Sequence, residues 1–142
     1  MEAESRVAQT AGSVLDASAL IALLHGEDGG EAVAEAIATG AAISVVNLAE
    51  VLSKLAEAGK DPAEARGQLR DAAGNTDALA IEPLSENDCV EVPRLRPKTR
   101  ELGLSLADRA CLALAMRLGV PALTADRTWA EADVDVEIRL IR

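Results

Sequence analysis

Apolar residues follow two alternating periods along the chain. Short apolar runs at 14–15, 41–46, 78–82, 121–124 and 136–140 have the length and content of strands, and Val136, Ile138 and Leu140 alternate with charged residues as at a sheet edge. Between them apolar residues recur every three or four positions, the spacing of one helix face. This predicts helices over 19–24 and 31–38, one opening at Asn47 with Leu48, Val51, Leu52 and Leu55 on its stripe, and one opening at Asp61-Pro62 and running to about 73. The clearest helix starts at Ser105, places Ala107, Cys111, Leu114, Ala115 and Leu118 on one face, and stops at Gly119 and Pro121. Ser85 is expected to cap a helix that Pro93 interrupts, Pro97 to keep the next residues irregular, and Gly74-Asn75 to form a turn. A short helix or turn is expected over 127–132. Strands alternate with helices throughout. The expected fold class is therefore α/β, a three-layer α/β/α sandwich around a mostly parallel sheet of four to five strands.

Composition narrows the function. A chain of 142 residues with 49% hydrophobic content is one domain, expected over 13–142, with 1–12 as a flexible leader because they carry no period. One Trp and no Phe or Tyr exclude a row of aromatic platforms for stacking bases. The formal charge of -10 repels nucleic acid at long range, unless basic residues cluster or metal ions bridge the contact. Cys89 and Cys111 form neither a disulfide framework nor a metal motif and are expected to be reduced, largely buried thiols. His25 is the one histidine, which leaves little for a zinc site or a Ser-His triad; it is expected near a helix C-terminus. No run is long enough to span a membrane and the first residues are acidic, so a cytoplasmic protein is expected.

Four acids stand out by position. Asp16 and Asp126 follow predicted strands closely, Glu50 follows a strand and one capping residue, and Asp108 lies in the first turn of its helix. In a parallel sheet the carboxyl ends of the strands and the starts of the next helices share one rim, where ligands bind. Carboxylates gathered there repel one another unless they take up protons or share a cation. An all-oxygen set suits Mg²⁺ or Mn²⁺, and such an ion at a rim points to attack on a phosphate ester. A plainer account treats Asp16 as an N-cap, and Asn47 with Glu50 and Ser105 with Asp108 as capping boxes that serve only backbone donors.

At these residues the chain resembles the PIN domain, and within it the VapC-type toxins of bacterial toxin-antitoxin pairs. The matching blocks are VLDASALIALL around Asp16, SVVNLAEVLSKL around Glu50, LSLADRACLALA around Asp108 and LTADRTWAE around Asp126. The resemblance implies a PIN-like sandwich and a Mg²⁺- or Mn²⁺-dependent endoribonuclease, usually a homodimer, restrained by a VapB-type antitoxin. It makes Asp16 and Asp108 the direct metal ligands, with Glu50 and Asp126 completing the catalytic set and Glu50 placed to orient water. Ser18 and Thr124 match positions where a hydroxyl supports the site, although turn or cap duty fits either; Asn47 is a site-facing amide or an ordinary cap.

Arg94, Arg96, Lys98 and Arg100 form a basic run in an acidic chain, and Arg109 and Arg127 adjoin two of the acids. These six are candidates for contact with RNA phosphates, against surface solvation or ion pairing as the plainer fate. The main rival to a nuclease is a PIN-like binding domain without significant catalysis, its acidic pocket receiving a partner's arginine. A phosphorelay receiver or phosphatase fits less well, since Asp16-Ala17-Ser18 lacks a second nearby Asp.

Overall fold

The computed structural model describes residues 11–72 and 78–142. Five strands, β1 (Ser13–Leu15), β2 (Ala41–Ser44), β3 (Leu79–Glu82), β4 (Ala122–Thr124) and β5 (Ile138–Leu140), form one sheet in the order β3-β2-β1-β4-β5, with every neighbouring pair parallel. Helices α1 (Ala17–Leu24), α2 (Gly30–Ala38), α3 (Val45–Glu57), α4 (Pro62–Ala72), α5 (Asp88–Arg94), α6 (Arg96–Thr99) and α7 (Leu106–Leu118) connect the first four strands, and a 3-10 turn (Arg127–Glu131) precedes the last.

The three inner strands β1, β2 and β4 are buried on both faces, so their successive residues feed two different cores. Leu15, Ile43 and Leu123 join Leu20, Val33, Val51 and Leu55 on one side, while Val14, Ala42 and Ala122 join Val92, Cys111, Leu112, Leu114 and Trp129 on the other. Trp129, the one aromatic residue, is fully buried, and its indole nitrogen has no hydrogen-bond partner. The expected three-layer sandwich is observed, with β3 and β5 at the edges.

Several local expectations change. The strand expected over 41–46 ends at Ser44, which is extended (φ -72, ψ 149) and accepts the Asn47 N–H on its hydroxyl. Ser44 is therefore the N-cap and the helix starts at Val45, two residues before the expected opening at Asn47. Asn47 and Glu50 thus do not form a capping box. Pro93 does not interrupt α5, because the Leu95 N–H still reaches the Glu91 carbonyl and the bond lost at the proline belongs to exposed chain free to meet water. Pro97 does not keep its surroundings irregular either. It lies in the first turn of α6, where a backbone N–H has no intrahelical partner to lose.

Ala11 is buried and the Gly12 N–H donates to the Gly40 carbonyl, so these two residues of the expected leader pack with the fold. The rest of that leader and the Gly74-Asn75 turn lie outside the described residues. At the other end, Arg142 donates to the Glu27 carboxylate and the Asp28 carbonyl, and a Cβ on Gly29 (φ 91) would fall 2.6 Å from the Ile141 carbonyl oxygen. The C-terminal residues are seated on a turn that only glycine allows. Cys111 is buried as expected, whereas Cys89 is exposed on α5. Among the described residues no helix is long and apolar enough to cross a membrane.

Candidate metal centre

The strand order reverses between β1 and β4, and in open α/β sheets that reversal opens a crevice at the carboxyl ends of the strands. Asp16 stands there, one residue past β1, and is 3% exposed. One carboxylate oxygen accepts the Ala19 N–H at 2.8 Å and so caps α1; the other accepts the Thr124 hydroxyl across the crevice at 2.5 Å. Ser18 Oγ lies 2.8 and 2.9 Å from the two oxygens. The cap account of Asp16 holds, and the cap uses only part of the carboxylate's acceptor capacity. Ser18 Oγ accepts the Ala125 N–H and Thr124 Oγ1 accepts the Asp126 N–H, and the two hydroxyls lie 3.3 Å apart, so both have the carboxylate and each other as neighbours. Ser18 and Thr124 both hydrogen-bond the Asp16 carboxylate.

Burial pushes Asp16 up to a pKa of about 6; the hydrogen bonds from Thr124, Ala19 and Ser18 pull it down, and the charge of Asp108 pushes it up again. Glu50, half-buried on α3, is also held above its ordinary value, first by burial and then by Asp108, with Lys54 opposing. Cys111 lies within the field of the same three acids: burial raises its thiol far above the usual range and Asp16, Asp108 and Glu50 each add to this. The sequence identified Cys111 only as a core thiol, and its helical spacing of three from Asp108 was the signal that it sits beneath the acids.

Asp108 forms the expected capping box with Ser105, donating its N–H to the Ser105 hydroxyl at 3.1 Å and accepting the Ser105 N–H on its carboxylate at 2.9 Å. One carboxylate oxygen is used in this way. Asp126 is exposed, caps the 3-10 turn, and one oxygen accepts both the N–H and the hydroxyl of Thr128. The charge of Asp108 thus reaches both Asp16 and Glu50, and the Asp126 N–H donates to Thr124, whose hydroxyl donates to Asp16. Asn47 is neither a site-facing amide nor a cap. It is fully buried, its Oδ1 accepting the Ser44 hydroxyl and its Nδ2 donating to the Ala107 carbonyl at 3.0 Å.

Among the basic candidates, Arg109 is misplaced for RNA. It is 6% exposed and donates to the Val92 carbonyl in the last turn of α5, where a cation meets the negative helix end. Arg94 is exposed and paired with Glu91 at 2.8 Å; Arg96, Lys98, Arg100 and Arg127 are exposed. Sequence reasoning missed Asp88, a buried acid held by the Ser85 N–H and by Arg117 at 3.1 Å. Burial pushes its pKa up, but these hydrogen bonds outweigh it and leave Asp88 below the usual range.

The donor chemistry fits a hard divalent cation: oxygen donors only, a deeply buried carboxylate, and repulsion among Asp16, Asp108 and Glu50 that a cation would offset. Among the described residues no three His, Cys, Asp or Glu side chains are grouped so that together they could hold a metal ion in a cage. Mg²⁺ retains several waters and binds through one or two carboxylates, so its requirement is smaller than such a cage.

The PIN domain model matches residues 13–135. The chain belongs to the PIN domain family. This PIN domain has a fold similar to the VapBC2 complex of Rickettsia felis bound to a promoter DNA fragment (17% identity, 90% of this chain and 97% of that one, TM-score 0.66). It is similar as well to a toxin-antitoxin complex from Klebsiella pneumoniae (21%, 92% and 98%, 0.66) and to the sarcin-ricin loop cleaving toxin VapC20 of Mycobacterium tuberculosis (19%, 88% and 98%, 0.64). At these identities the likeness is one of fold. No curated protein matches the chain.

Proposed function

We propose that this PIN domain is a VapC-type toxin, an endoribonuclease that hydrolyses RNA phosphodiester bonds with Mg²⁺ or Mn²⁺ and is restrained by a VapB-type antitoxin in the cytoplasm. The observation that carries the reading is the buried Asp16 carboxylate at the β1/β4 reversal, within the field of an Asp108 that also acts on Glu50. Asp16 and Asp108 are assigned as the metal-holding residues. The bound ion supplies charge neutralisation at the phosphate and a lowered pKa for the attacking water.

The side chains then have distinct duties. Ser18 and Thr124 hold the Asp16 carboxylate through their hydroxyls, which are themselves anchored by the Ala125 and Asp126 N–H groups. Glu50, with its proton affinity raised by burial, orients the water and receives its proton as the new oxygen–phosphorus bond forms and the ribose oxygen leaves. Asp126 closes the set from the 3-10 turn. Arg94, Arg96, Lys98, Arg100 and Arg127 are the exposed cations assigned to RNA phosphates, which eases the objection raised by the net charge. The assembly is a homodimer, as the family resemblance implies.

The test is RNA cleavage with and without Mn²⁺, in wild type and in Asp16→Asn. Cleavage that requires the ion and disappears in the variant, with circular dichroism unchanged, supports the reading. Tight antitoxin binding without any ion-dependent cleavage would replace it with the non-catalytic binding domain. Replacing Arg96, Lys98 and Arg100 together should weaken RNA binding and flatten its salt dependence; unchanged values would remove those residues from the interface.

A further inference from the structure

We infer that Asn47 is a positioning residue that sets the separation of the Glu50 and Asp108 carboxylates, and through it the affinity of the site for its divalent ion. The inference rests on the metal-site reading above. Glu50 is carried by α3 and Asp108 by α7, and the two acids act on each other from separate helices. Asn47 lies one turn before Glu50, and its Nδ2 donates to the carbonyl of Ala107, the residue next to Asp108. One buried hydrogen bond therefore joins the two helix starts beside the two carboxylates.

The sense of that amide is determined by its surroundings. Ser44 Oγ already accepts the Asn47 N–H, so its proton is free only to donate, and it donates to Asn47 Oδ1 at 2.5 Å. Oδ1 thus faces Ser44 and Nδ2 must face Ala107. Neither aspartate nor an aliphatic residue can reproduce this, because the position needs an acceptor toward β2 and a donor toward α7. Repulsion between Glu50 and Asp108 acts to spread the two helix starts, and the Asn47 bridge resists it where the opening would begin. A cation site assembled from two elements depends on that spacing.

The test uses Mn²⁺ alone, followed by electron paramagnetic resonance of the free ion, with the full chain. Asn47→Leu keeps the volume and the Ser44 cap, and Ala107 stays within its helix, so no buried backbone group is orphaned. The variant should bind Mn²⁺ roughly 10- to 100-fold more weakly. In a Glu50→Gln background the same change should have much less effect, since the spacing it controls no longer joins two charges. Leu55→Ala, in the same helix and away from the rim, controls for general loosening: it should lower the melting temperature and leave Mn²⁺ affinity as in wild type. Wild-type affinity in Asn47→Leu, or an equal loss with and without Glu50, would overturn the inference while leaving the metal site standing. Failure of the wild-type protein to bind Mn²⁺ would sink the metal reading and this inference with it.

Discussion

Asp16 stores free energy that only a cation or a proton can release. Its pKa rises from 3.8 to about 6 on folding, so between those values the native state binds more protons than the unfolded chain, and stability falls as pH rises. Asn is neutral at every pH, and Asp16→Asn should therefore gain on wild type by up to about 3 kcal/mol between pH 4 and pH 7 in urea melts without divalent ion. Saturating Mn²⁺ should narrow the gap, because the ion binds only the folded wild type. A gap that is flat with pH would contradict the burial account. At this scale the sequence disclosed residues whose role follows from place along the chain, such as Asp16 at a strand end or the Ser105–Asp108 box. It did not disclose what Arg109 and Asn47 bond to, because their partners, Val92 and Ala107, lie 17 and 60 residues away, and no local spacing encodes such a contact.

Elements were more legible than their ends. All five strands sit in predicted places, the inner ones because buried parallel strands are continuous apolar runs and β5 because an edge strand alternates, whereas the start of α3 was misplaced because two valines read as strand. The decisive signal was Ser44 just before the periodic run, with a side chain that caps three residues ahead. Ser44→Ala should cost about 1 kcal/mol from the cap alone, and more if the Asn47 amide loses its orientation. The α5–α7 contact is held by the buried Asp88 and Arg117. Arg117→Met should destabilise by about 3 kcal/mol at neutral pH, since it leaves a buried carboxylate unpaired. Because Asp88 is held below its ordinary pKa, its contribution is present at pH values above the unfolded carboxylate's and fades as pH falls through the folded value, so acid melts should bring the two proteins together.

For the molecule as a whole, the predicted sandwich followed from alternation alone, while the closure of its C-terminal edge did not, since Arg142 meets Glu27 across 115 positions. Gly29→Ala should strain that closure in both φ and contact, costing about 2 kcal/mol and speeding amide exchange in β5 before the central strands. The one indole of this chain is sealed inside the core and belongs to the turn that Asp126 caps. With no phenylalanine or tyrosine beside it, every photon of native emission and every near-ultraviolet dichroic band reports that single turn. Spectroscopy can thus follow unfolding at one address, without a label.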